Sequence, residues 1–307
     1  MSQDFALWPD FVAGWEPRPE EVAAIASLQP IGAFENSAAA EASDPLPDFV
    51  NLDDAVLAIS GSRLPTRNQG NAGTCVSFGT IAAVELTMAV AISRQKHFEF
   101  LPLATEPVYG GSRIEVGKGR LGRGDGSVGA WAAQFVKQWG VAARRDYPGL
   151  NINLSNYSIP LSRDWGSKGV PDAFEPVLKQ HPIEGIAQIT TIIGLKRALA
   201  NGYGVAECSG LLLGTQRDSE GKITASRGGG HCMCVDGYIV IDGVTWFHIR
   251  NSWGDLAHKG ATHPKFPTKS GGLIHQSKMQ SMLDGNDTWA FSDAVGFPAR
   301  DLVSWLV

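Results

Sequence analysis

Only four cysteines, Cys75, Cys208, Cys232 and Cys234, are spread over 307 residues. That scarcity argues against a secreted domain held by several disulfides. A bridge between Cys232 and Cys234 would be strained along a strand. The first 17 residues carry Asp4, Asp10 and Glu16 but neither Lys nor Arg, so no secretory leader with a positive start is expected. Lys and Arg number 26 against 31 Asp and Glu, a net charge of −5, and the isoelectric point lies near 5.8. With no basic stripe to offset this balance, a nucleic-acid surface is excluded. No apolar run reads as long enough to span a membrane, and no internal repeat is visible. The expected setting is a reducing one: the cytoplasm, or a particle assembled there such as a virion or a secreted machine.

What is present suffices for a sizeable core, since 43% of the residues are hydrophobic, and the length allows up to about two domains. Residues 1–45 read as an extension rich in alanine, acids and proline, with Glu35 to Asp44 as a linker, and residues 46–307 as the main domain. Within that domain, Cys75 to about Ser93 reads as a nearly all-round apolar helix, with Phe78, Ile81, Val84 and Met88 at helical spacing. Val128 to Trp139 reads as a second helix and Thr191 to Ala200 as a short third. Strand signals concentrate after residue 203, with Trp289-Ala290-Phe291 a late strand. The glycine-rich stretch Gly117 to Gly124 lacks the Lys-Ser or Lys-Thr pair of a phosphate loop and reads as a flexible basic loop.

The chemistry concentrates in three places. Asn68-Gln69-Gly70-Asn71-Ala72-Gly73-Thr74-Cys75 sets a cysteine after a glycine-bearing turn and at the start of the apolar helix. Unpaired N–H groups and the positive end of the helix dipole favour a thiolate there, so the Cys75 pKa is expected to be depressed. Gly228-Gly229-Gly230-His231 opens a strand, and a second strand ends in Asn251-Ser252-Trp253-Gly254. His231, Cys232 and Cys234 do not make a convincing metal site, because closed zinc sites need four convergent ligands and alternate strand residues face opposite ways. Cys232 and Cys234 read instead as buried thiols.

In chain order these residues, Gln69, Cys75, His231 and Asn251, resemble the catalytic set of the papain-like cysteine peptidases, with a likeness over roughly residues 46–295. Asp48 to Leu52 resembles the start of the family domain. Gly126-Ser127 falls on the family's substrate-binding glycine pair, followed by Trp139-Gly140-Val141 and Asp146-Tyr147-Pro148. The resemblance implies an α+β, two-lobe fold: a helical left lobe over roughly 60–160, a β-rich, barrel-like right lobe over roughly 185–300, and the active site in the cleft between. It implies a cysteine-type peptidase with Cys75 as nucleophile, His231 as acid and base, Asn251 orienting His231, and Gln69 in the oxyanion hole. Trp253 would cover the His231–Asn251 pair, and Gly73, Gly230, Gly126, Ser127 and Cys208 would line the substrate site, although core packing suits Cys208 equally. Glu85, inside the apolar helix, reads as a buried structural acid. The partner implied is a peptide or protein; no cofactor or metal is called for.

Departures qualify the likeness. Ala72 stands where the family has a half-cystine, Val76 where an aromatic usually follows the nucleophile, and Ser127 where the second glycine would let a peptide lie close. The pattern is that of a disulfide-poor, bacterial or phage-like member. Two other functions stay open: a cell-wall peptide or isopeptide hydrolase or acyl transferase, and a catalytically silent module of a larger assembly. The extension 1–45 reads either as a short propeptide lying in the cleft or as an arm docking onto such an assembly.

Overall fold

The computed structural model describes residues 12, 14–42, 44–94, 99–293 and 297–298; Asp4 and Asp10, on which the expectation about a leader partly rests, lie outside them. Helices α1 (Pro19–Ser27) and α2 (Ala38–Glu41) precede strand β1 (Phe49–Asn51). Then come α3 (Asp53–Ser60), α4 (Cys75–Ser93), α5 (Glu106–Gly111), which runs into a π-helical turn at Ser112–Val116, and α6 (Gly129–Gln138). A small hairpin of β2 (Asp146–Tyr147) and β3 (Ile152–Asn153) leads to α7 (Ile159–Lys168), α8 (Glu175–Leu178), β4 (Gly185–Gln188) and α9 (Ile192–Ala200). The chain finishes with β5 (Val205–Arg217), β6 (Ile223–Ile241), β7 (Val244–Arg250), β8 (Gly271–His275), α10 (Gln276–Leu283) and β9 (Asp287–Ser292).

Helix α4 is enclosed because it is apolar on every side, which leaves no face for water. It packs against α3, β5, β6 and β9. By length and composition it could cross a bilayer, which corrects the expectation that no apolar run reaches that length, yet 89% of its most apolar window is buried inside the protein. Glu85 is its one buried charge: Arg67 donates to both carboxylate oxygens at 2.5 and 2.7 Å, and the Leu103 N–H donates to one at 2.7 Å. A buried carboxylate so paired is a structural acid, as expected.

The sheet runs β4-β9-β5-β6-β7-β8, with β1 pairing β6 off that path, and every pairing is antiparallel. Strand β6 reaches across it, pairing β5, β7 and β1. A register shift between Val235 and Gly237 interrupts the β6–β7 ladder. At that irregularity Asp236 is fully buried against His248 and Arg250, and Arg250 also reaches Asp53 at 3.1 Å. Burial alone would raise the Asp236 pKa, but its contacts with His248 and Arg250 outweigh it and hold the carboxyl below its ordinary value.

Two local expectations change. The stretch Glu35 to Asp44 is not a linker: a 3₁₀ turn at Phe34–Asn36 and α2 occupy much of it, and Phe34 is wholly buried against Tyr203 and Phe297. Apolar Phe34 and Ala39 anchor a segment whose polar composition reads as a tether. Nor is Gly117 to Gly124 a free loop. The buried Arg113 guanidinium donates to the carbonyls of Gly122, Gly124 and Gly126, and Arg120 pairs with Glu21 while lying over Trp131.

Because Arg250 is the shared cation of two buried carboxylates, Arg250→Met is expected to cost about 3–5 kcal/mol in denaturant unfolding. Lys179→Met, which removes a surface pair with Glu175, should cost about 0.5 kcal/mol or less. Equal small losses would show that the Asp236 cluster adds nothing to stability.

Candidate active site

Cys75 is the first residue of α4, placed there by the turn through Gly73 and Thr74, and is fully buried. The backbone N–H groups of Val76 and Cys232 are among the neighbours that favour its charged form, so the helix start faces the segment that follows His231. His231 sits on β6 beside Ser209 of β5. Its Nε2 is 2.8 Å from Asn251 Oδ1, just beyond the end of β7. The Trp253 indole stacks on the imidazole with centroids 4.5 Å apart and planes at 27°. Cys75, His231, Asn251 and Trp253 are thus assembled at one edge where α4 meets the sheet.

Gln69 is buried beside them. Its Oε1 accepts from the Ser252 hydroxyl at 2.7 Å and its Nε2 donates to the Ala72 carbonyl at 2.8 Å. One hydrogen of the amide is thereby committed, and a second remains to donate elsewhere.

The cleft is filled by the chain's own N-terminal segment. Gly14 N and Trp15 N donate to the Gly230 carbonyl at 2.9 and 3.2 Å. Ser127 N donates to the Gly14 carbonyl and Glu16 N to the Ser127 carbonyl, each at 2.9 Å, making a parallel bridge. A Cβ on Gly14 would stand 2.6 Å from the Cys75 sulfur and 2.7 Å from the Gly73 carbonyl oxygen. Only a glycine passes there. Gly230 is required for the same reason, since a Cβ on it would collide with the Trp15 carbonyl.

Trp15 plugs a pocket beyond the thiol. Its indole N–H donates to Asp287 Oδ2 at 2.7 Å. Asp287 also accepts from Gly129 N, Ala130 N and Trp289 Nε1, so one carboxylate receives the indole and caps α6. Cys208 pairs with Asp287 in register and packs against Gly129, which places it beside this pocket. Ser127 does not obstruct the cleft as expected. Its hydroxyl turns away to the Ser112 hydroxyl at 2.7 Å, leaving its backbone N–H and carbonyl to the segment 14–16.

The electrostatics reverse the expectation of a depressed thiol pKa. Burial under Gly14 pushes the Cys75 pKa well up, outweighing the N–H groups at the helix start. Burial likewise lowers His231 to about 4, against the favourable bond to Asn251. The covered pair is therefore a neutral thiol and a neutral imidazole. The helix-start argument fails because it assumes solvent access that the segment 14–16 removes.

Sequence reading missed Trp15, Asp287, the Ser252 hydroxyl and His258. His258, buried in the loop after Trp253, lies 3.0 Å from Asn251 Nδ2 through its Nε2. Nothing in the sequence marks Trp15 or Asp287, whereas a histidine seven residues past Asn251 was a visible signal. Among the described residues no group of three or more His, Cys, Asp or Glu is placed to hold a metal.

No protein-family model matches the chain. It is 26% identical over 228 residues to cysteine proteinase 1 of Entamoeba histolytica, a match covering 68% of this chain and 66% of that protein. With cysteine proteinase 2 of the same organism it shares 24% identity over 199 residues, covering 63% and 57%. The chain thus spans just under two thirds of the first relative and less of the second. Xylellain, a cysteine protease from Xylella fastidiosa, superposes with a TM-score of 0.54 at 15% identity over 91% of both chains. Procathepsin B S9 of Trypanosoma congolense gives a TM-score of 0.56 at 13% identity, over 94% of this chain and 88% of that one. With its central helix, begun by Cys75, set against an antiparallel sheet, the chain has the α+β fold of the papain-like cysteine peptidases and is related to them in sequence.

Proposed function

We propose that the chain hydrolyses peptide amide bonds through a thioester on Cys75, and that the segment around Gly14–Glu16 holds it in a covered, resting form. The observation that carries the reading is the His231 Nε2 to Asn251 Oδ1 bond of 2.8 Å under Trp253, at the start of the helix that bears Cys75. Because Nε2 is engaged by Asn251, Nδ1 is the nitrogen that serves the thiol. Once the segment leaves, water reaches the site, burial no longer disfavours charge, and the Cys75 proton passes to His231 Nδ1. The thiolate attacks the substrate carbonyl, and its electron pair moves onto oxygen. Gln69 and the Cys75 backbone N–H donate to that oxyanion, an effect worth about 3 kcal/mol per donor. His231 returns the proton to the leaving amine as the C–N bond breaks, leaving a thioester. Water, deprotonated by His231, then attacks the thioester and releases the acid and the thiol.

The covering segment favours the propeptide reading of the extension over the docking arm. It fills the substrate site with main-chain bonds to Gly230 and Ser127. Solved neighbours include proteins named as procathepsins, which supports a covered form in this chain as well. Residues 19–41 pack into the core, so release would need to free the residues before α1 rather than the whole extension.

The direct check is peptide-mapped alkylation with iodoacetamide at about pH 5.5, where ordinary thiols are protonated. The full chain should label slowly at Cys75. A variant lacking residues 1–16, or Trp15→Ala, should label Cys75 selectively at least tenfold faster, and a second change of His231→Ala should slow it again. Labelling of Cys75 no faster than Cys208 in the uncovered variants would favour a silent module over an enzyme.

Acid should loosen the covered form. His231 and His258 are buried with pKa values of about 4, below the 6.5 of the unfolded chain. At these two sites the unfolded chain therefore binds more protons between those values, and their contribution to stability is lost as pH drops from about 6.5 to about 4. The loss is on the order of 2–3 kcal/mol per histidine. Buried Glu207, its pKa raised to about 8, acts in the opposite direction over part of that range, so the check is a difference between chains. The Tm of the parent should fall relative to that of His258→Gln as pH drops from about 6.5 to about 4, and parallel profiles would contradict the buried neutral assignment.

A further inference from the structure

Beyond the set of Gln69, Cys75, His231 and Asn251, a second histidine stands behind the first. Asn251 Nδ2 is 3.0 Å from His258 Nε2, and His258 Nδ1 is 2.8 Å from the Gly214 carbonyl oxygen on β5. A carbonyl only accepts, so the proton of His258 is on Nδ1 and its Nε2 is an acceptor. Asn251 must then present its NH₂ group to His258. A second constraint acts on the other side of the amide: the Ser252 N–H, which only donates, points at Asn251 Oδ1 at 2.7 Å. With its orientation set from both sides, Asn251 turns its oxygen to His231 Nε2, which must carry the hydrogen of that bond, leaving His231 Nδ1 as the base.

We propose that His258 is a positioning residue for the peptidase reaction: through Asn251 it selects the tautomer of His231 whose Nδ1 accepts the Cys75 proton. The proposal rests on the catalytic reading of His231 and Asn251. His258, Asn251 and His231 are all buried, at 2, 3 and 0% exposure, so no bulk water is at hand to replace a lost partner. A buried NH₂ left without its acceptor carries a desolvation cost that works against the single remaining constraint from Ser252, and the loosened amide weakens its bond to His231. Trp253 lies over both imidazoles, with its ring centroid 4.5 Å from His231 and 6.4 Å from His258, so one indole shields the whole row. Burial keeps His258 neutral at ordinary pH, which preserves its acceptor.

The test uses the full chain with ¹⁵N-labelled histidine and reads ring tautomers by long-range ¹H–¹⁵N correlation near pH 7. In the parent chain, and in His258→Gln, whose side-chain oxygen can still accept from Asn251, His231 should be protonated on Nε2 alone. In His258→Phe, folded by its circular dichroism and melting, His231 should show a mixed or inverted tautomer. In the Trp15→Ala background, His258→Phe should lower kcat about tenfold with little change in KM, and His258→Gln should restore it. An unchanged His231 tautomer in folded His258→Phe overturns the proposal, as does equal loss in the Phe and Gln variants. Because the spectral readout needs no turnover, a tautomer set by His258 in a chain that hydrolyses nothing would sustain the positioning role and count against the peptidase reading alone.

Discussion

One buried carboxylate ties the arrangement together. Asp287, at the start of β9, accepts from the Trp15 indole, from two N–H groups at the start of α6 and from the Trp289 indole. It joins the covering segment, a helix of the α-rich half and the sheet at a single point. Burial pushes its pKa up while those four donors pull against the rise. The indole that Asp287 holds belongs to the residue next to Gly14, whose backbone lies against the thiol. The same residue that joins helix and sheet therefore also holds the covering segment in place.

Charge in the site follows from that closure. A thiolate and an imidazolium need either water or each other, and the segment through Gly14 denies the first while burial penalises both ions. The helix start behind Cys75 supplies partial positive charge, but its effect is too small to offset complete burial. On the proposed reading, the covered chain stores Cys75 as an unreactive thiol without altering any of the side chains assigned to catalysis. Activation in this account is a change of solvation.

Much of the fold was legible in the sequence because its signals were local. The helix from Cys75 to Ser93 has the bounds read from its apolar run; α6 and α9 lie within a residue of theirs, with Thr191 capping α9. The late strand around Trp289-Ala290-Phe291 is β9. The three motifs announced residues that the fold brings to one edge, since turn glycines before Cys75 and His231 and the tight turn after Asn251 each have a backbone reason. Other features were hidden because their cause is distant in sequence. Phe34 orders an apparent linker by packing on Tyr203 and Phe297, Arg113 gathers the carbonyls of a glycine-rich loop, and Ser127 turns its hydroxyl to Ser112. Trp15 and Asp287 are 272 residues apart, and no local pattern links them. Helices α1, α2, α3, α5, α7, α8 and α10 also escaped notice; α7 and α10 are short and largely polar, held by capping from Ser158 and His275 rather than by a strong apolar stripe.

The central claim is that Cys75 forms a covalent acyl intermediate once the segment 14–16 is displaced. The most direct measurement is intact-mass analysis within milliseconds of mixing the Trp15→Ala chain with an activated peptide ester. The account predicts a single acyl adduct that maps to Cys75, decays by hydrolysis, and is absent from Cys75→Ala and much reduced in the unaltered chain. An adduct that persists in Cys75→Ala, or none at all in the uncovered chain, would contradict it.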